Sequence, residues 1–233
     1  MLRGDLLWGW LAGAAWLGLC PAPAPAQPVF FDDFDGNALL PHWIQPPASD
    51  WQYNVSNGRL NVTNLLYPSS PISPGNTAVM EASFAPQMDF QLDARMGWGS
   101  AAGVARFELE ILTPGGGIVG HLGYCELVCG GSGAPGIFGA TTSGIMQLPS
   151  PPPGMYDFRV DRAGGQWRFY FEGNLFANLT SPYTGPIGGV GFFFSSPYPG
   201  QSGPFYVDRV QVVPAPGVLG AAALASILAV RRR

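Results

Sequence analysis

The chain has 233 residues, 11 basic and 15 acidic side chains, no lysine and a formal net charge of −4. So acidic a balance excludes the basic footprint that binds nucleic acid or anionic membrane surfaces. Its 33 glycines and 24 prolines, with no sustained helical periodicity, exclude a helical bundle. Met1 to Ala26 reads as a secretory signal peptide. Arg3 supplies the positive start, Leu6 to Leu19 the apolar core, and Ala24-Pro25-Ala26 a small-x-small cleavage site before Gln27.

Residues 27–213 then form one domain with period-two patterning. Phe90, Leu92 and Ala94 alternate with Gln91, Asp93 and Arg95. Phe107, Leu109 and Ile111 alternate with Arg106, Glu108 and Glu110, and Trp167, Phe169 and Phe171 with Arg168, Tyr170 and Glu172. Glycines at Ala163-Gly164-Gly165-Gln166 and Glu172-Gly173-Asn174 supply turns that need positive φ. Many half-buried antiparallel strands in a chain of this length predict an all-β sandwich or barrel. The opening Phe31-Asp32-Asp33-Phe34-Asp35-Gly36 with Trp43, the segment Trp51 to Val62, the pair Tyr156–Val160 and Gln166–Asn174, and the closing Phe205–Val212 resemble concanavalin A-like lectin/glucanase jelly rolls. The resemblance implies an antiparallel jelly-roll β-sandwich. It leaves activity open, because that fold hosts lectins, glycosidases, lyases and adhesive modules.

Four sets of residues carry candidate chemistry. Asp33 and Asp208 offer hard oxygen ligands near the two ends of the domain, and the resemblance implies a structural Ca²⁺ there. Arg106, Glu108 and Glu110 share one strand face, and paired carboxylates are the equipment of glycoside hydrolysis. Laminarinase-type hydrolases of this fold carry a third carboxylate after the pair as acid/base. Here Leu112 and Thr113 stand in its place, so the face reads as a carbohydrate-binding surface or a solvated strand face rather than a catalytic one. Tyr170, on a polar face, is the aromatic singled out to stack on a sugar ring. Cys125 and Cys129 predict a disulfide closing a small turn; His121 beside them makes a weak metal set.

The chain ends in three parts: Pro214-Ala215-Pro216, an uncharged run from Val218 to Val230, and Arg231-Arg232-Arg233. The run is thirteen residues, about 20 Å as a helix and short of the roughly 20 residues that span a bilayer. The arginines favour the cytoplasmic face. This tail resembles PEP-CTERM sorting signals, with Ala215 where that family has glutamate. The resemblance implies export from a Gram-negative cell, transient membrane anchoring and processing by an exosortase-type protease. Removing both ends leaves 7 basic and 14 acidic residues, net −7. Fold, tail and the missing acid together predict a surface or matrix protein that binds polysaccharide without cleaving it. A matrix packing unit without glycan binding and a rearranged glycoside hydrolase or lyase are the alternatives.

Overall fold

The computed structural model describes residues 26–45, 51–64, 77–99, 106–125, 135–195 and 204–215. Within these, the strands in chain order are β1 (Phe30–Asp32), β2 (Trp43–Ile44), β3 (Trp51–Val55), β4 (Leu60–Asn64), β5 (Thr77–Gln87), β6 (Phe90–Trp98), β7 (Arg106–Leu112) and β8 (Ile118–Cys125). They continue with β9 (Gly136–Thr141), β10 (Gly144–Pro149), β11 (Gly154–Ala163), β12 (Gln166–Phe171), β13 (Asn174–Thr180), β14 (Ile187–Ser195) and β15 (Phe205–Pro214). They form two antiparallel sheets. One runs β13-β12-β11-β6-β15-β4-β3, with β1 also paired to β15; the other runs β10-β9-β8-β7-β14-β5-β2. The sequence-based expectation of an all-β, two-sheet sandwich is met. The signal and tail helices expected at the ends fall in residues outside the described set. Among the described residues no helix is long and apolar enough to cross a membrane.

The alternation read from sequence is what closes the sandwich. Phe90, Leu92, Ala94, Met96 and Trp98 of β6 and Phe107, Leu109 and Ile111 of β7 are all buried in one apolar cluster. The sheets meet through aromatics: Phe107 of β7 lies 5.3 Å from Phe205 of β15, and Phe194 of β14 lies 5.4 Å from each. Each such buried ring contributes about 1.5–3 kcal/mol relative to exposure. The hairpin chemistry also follows the sequence. Gly164 and Gly165 (φ 57° and 81°) join β11 to β12, and Glu172 and Gly173 (φ 49° and 74°) join β12 to β13. Both turns have positive φ at their two central residues, which matches strand twist.

The opening segment is fastened by Asp32 rather than by Asp33. Asp32 is buried, accepting the Phe34 N–H at 2.8 Å and the Trp43 indole N–H at 2.6 Å. The first bond holds Phe34 in the left-handed region (φ 52°), and its ring stacks 5.9 Å from Trp43. At the other end β15 runs through Pro214, opposite Phe90, and the Ala215 N–H still donates to the Asp89 carbonyl. The first residue of the Pro-rich segment, Pro214, is thus the end of the last strand, a position that tolerates proline, and Ala215 is tied on just beyond it.

Candidate functional site

β7 is the middle strand of the seven-stranded sheet, between β8 and β14. Its inward residues fill the core, so Arg106, Glu108 and Glu110 must point from the outer face. Antiparallel register then decides their neighbours. Glu110 is opposite His121 of β8 and Gly191 of β14, while Glu108 is opposite Gly123 and Phe193, and Arg106 is opposite Cys125 and Ser195. Glycine is required at 123, because a Cβ there would sit 2.1 Å from the Phe107 carbonyl oxygen. At 191 a Cβ would press on Glu110 Oε2 at 3.3 Å and on Glu81 of β5. The two glycines therefore make room for the carboxylates.

The expectation of a solvated strand face is corrected here: Glu108 is 1% exposed and Glu110 4%. The reason lies in the neighbours. Phe138, Ala140 and Cys125 form a second, small apolar cluster on this outer side, and Arg106 spreads over the rings of Phe138 and Phe193. Only Arg106 and His121 keep outlets to solvent, with side chains 40% and 27% exposed.

The two carboxylates are treated unequally. Arg106 pairs with Glu108 at both oxygens: Nη2 donates to Oε2 at 3.0 Å, and Nε lies 2.5 Å from Oε1 as an ion pair without hydrogen-bond alignment. His121 Nδ1 approaches Oε2 at 3.2 Å, close enough for charge interaction but misaligned for a hydrogen bond. No hydrogen bond or ion pair among the described residues holds Glu110. Burial pushes its carboxyl up to about 7, and the negative charges of Glu108 and Glu81 add to the rise. His121 and Arg106 oppose the shift without cancelling it. Chemically the site is an arginine-paired carboxyl beside one that burial inclines to keep its proton near neutrality, under a partly exposed guanidinium and imidazole.

At the two positions where the hydrolase pattern would put its third carboxylate, the chain carries none. Leu112 is buried after a bulge in β7, and the Thr113 hydroxyl accepts the Gly115 and Gly117 N–H groups in the following turn.

Tyr170 does not join this face, a second correction. It lies on β12 in the other sheet, with the Arg159 guanidinium 5.2 Å from its ring centre. Strand order, invisible to periodicity, separates the two. Asp33 and Asp208 are likewise engaged apart: Asp33 accepts the Asp35 N–H at 3.3 Å, and Asp208 pairs with Arg95 at 3.4 Å. Cys125 is buried at the end of β8, while Cys129 lies outside the described residues, as do Pro216 and Arg231 to Arg233. His121 sits with Glu108 and Glu110, a juxtaposition that sequence reasoning missed; it had grouped His121 with the cysteines. The usable signal was the β7–β8 hairpin, whose turn at Thr113–Gly117 sets the register.

The described strands define an all-β sandwich of two antiparallel sheets, with a charged middle strand in one of them. Three solved structures are similar to it. The catalytic domain of an endo-1,3-β-glucanase (laminarinase) from Thermotoga petrophila matches 80% of this chain and 97% of its own, at TM-score 0.55 and 14% identity. The CBM2 module of the evolved Dit protein of Lactobacillus casei phage J-1 matches 80% of this chain and 95% of its own, at TM-score 0.56 and 19% identity. A sialidase matches 82% of this chain at TM-score 0.62 and 12% identity, but the chain spans only 19% of its length. At these identities the likeness is one of fold. Neither a family model nor a curated relative matches the sequence.

Proposed function

We propose that the chain is an exported surface or matrix protein that binds polysaccharide through the outer face of its seven-stranded sheet without cleaving it. The observation that carries this reading is the combination on β7. A charged cluster occupies the middle of a sheet in a fold shared with a laminarinase and a CBM2 module, yet Leu112 and Thr113 fill the place of the acid/base. Sugar hydroxyls meet the exposed Arg106 guanidinium and His121 ring. Glu108 and Glu110 lie beneath these donors, and Glu108 orients Arg106 through its ion pair and hydrogen bond. Export follows from the leader ending at Ala26 and the tail from Pro214 to Arg233, with an exosortase-type protease as the transient partner and a Cys125–Cys129 disulfide suited to that compartment.

The test is affinity electrophoresis of the purified chain through gels cast with a broad set of neutral and acidic polysaccharides. Retardation by at least one, lost in Arg106→Ala, supports the reading; no retardation by any sinks it. Glycoside hydrolysis is the second reading, favoured by the contrast between paired Glu108 and proton-holding Glu110. It predicts release of reducing ends from the same polysaccharides, abolished in Glu108→Gln. Export is checked separately by the N-terminus of the secreted chain, expected at Gln27.

A further inference from the structure

Glu108, Glu110 and His121 come from two strands and do more than line a face. One ligand atom of each lies within 4.8 Å of the others, and both carboxylates are buried. Two features of this trio are unexplained by the fold alone. The Glu110 carboxyl is 4% exposed with no hydrogen-bond or ion-pair partner among the described residues. The His121 Nδ1 is shut from solvent and makes no aligned hydrogen bond. A buried polar atom without a partner costs about 1–3 kcal/mol, and here His121 Nδ1 is one, facing a carboxyl that nothing on the two strands holds.

We infer that this trio is a binding site for one divalent transition ion of the zinc type, held by Glu108, Glu110 and His121 Nδ1. The donor set is right for it: an imidazole nitrogen selects against Mg²⁺ and Ca²⁺, while two carboxylates suit Zn²⁺, Co²⁺ or Mn²⁺. Spacing agrees. Tetrahedral bonds of about 2.0–2.1 Å put adjacent ligand atoms about 3.3 Å apart, and His121 Nδ1 is already 3.2 Å from Glu108 Oε2. Glu110 already has an oxygen within 4.8 Å of the other two ligand atoms, and a χ rotation away from Gly191 toward His121 closes the third side. Arg106 does not block the site, because a carboxylate has about four lone-pair positions and the guanidinium hydrogen-bonds one of them, on Oε2 of Glu108. It acts as the outer partner that fixes a ligating carboxylate. Three protein ligands leave a fourth position open toward the gap between Arg106 and His121.

The experiment needs no glycan, so it stands whether or not polysaccharide binding does. The full chain is stripped with chelator, titrated calorimetrically with Zn²⁺, and separately with Co²⁺ while its visible absorption is followed. One equivalent is expected to bind, with a d–d absorption band for Co²⁺. Glu110→Gln, nearly isosteric, and His121→Ala should each weaken binding on the order of tenfold or more. Glu81→Gln, beside the site but outside the ligand set, should leave it unchanged. Absence of saturable Zn²⁺ binding overturns the inference. So does binding that both ligand variants retain in full, which would place the ion on other groups such as the cysteines.

Discussion

The outer faces of the two sheets were written in the same alternating code and ended up as opposite environments. On the β6–β11–β15 face, Arg95 pairs with Asp157 and Asp208, and Arg159 with Asp161, through side chains that, Asp161 apart, are all 40% exposed or more. On the β7–β8 face, Arg106 and His121 reach solvent, while Glu108 and Glu110 are buried beneath them. Solvated pairs cost little and contribute little. Buried carboxyl groups are expensive, and a face that keeps two of them, one without an ion-pair partner among the described residues, is not optimised for stability alone. That asymmetry, rather than the number of charges, points to the seven-stranded sheet as the working face.

The sharpest way to break the comparison is to remove one arginine from each face. Arg106→Met leaves the Glu108 carboxylate buried without its cation and should cost about 3–5 kcal/mol in urea unfolding at pH 7. Arg95→Met should cost less than about 1 kcal/mol. Equal losses would mean that the two faces are electrostatically alike, and the case for a specialised site would go with them.

A slightly smaller effect comes from pH. Glu110 holds its proton up to about 7 in the fold against 4.5 when free, so the folded chain binds protons more tightly than the unfolded one. In chelator-treated protein the stability is therefore highest below about pH 4.5, declines as pH rises toward 7, and is flat beyond it for this group. The total is on the order of 3 kcal/mol. Glu110→Gln should remove this slope, measured as urea midpoints across pH 4.5 to 7.5. A wild-type slope that survives the substitution would assign the titration elsewhere.

How much of this was legible beforehand differs between levels. Alternation showed which residues of β6, β7 and β12 enter the core, because a period of two is local. The turns at Gly164-Gly165 and Glu172-Gly173 were legible for the same reason. What alternation cannot give is the order of strands in a sheet. Tyr170 and Arg106 looked alike as polar-face residues and lie on different sheets. Nor can it say what covers an outer face, so Glu108 and Glu110 read as solvated until Phe138 and Phe193 were seen beside them. Asp32 was passed over for Asp33 because its partner, the Trp43 indole, lies eleven residues away across a loop.

The smallest expected effect tests that division directly. Tyr170 contributes a half-exposed ring under the Arg159 guanidinium, and Arg159 is independently held by Asp161 at 2.6 and 2.9 Å. Tyr170→Ala therefore removes one exposed cation–π contact, about 0.5–1 kcal/mol, without disturbing the ion pair beside it. Because the ring sits on the other sheet, retardation of the variant in polysaccharide gels should match the wild type even where Arg106→Ala has lost it. If Tyr170→Ala abolished binding while Arg106→Ala did not, the working face would be the β11–β12 surface, and the buried carboxylates of β7 would need another explanation.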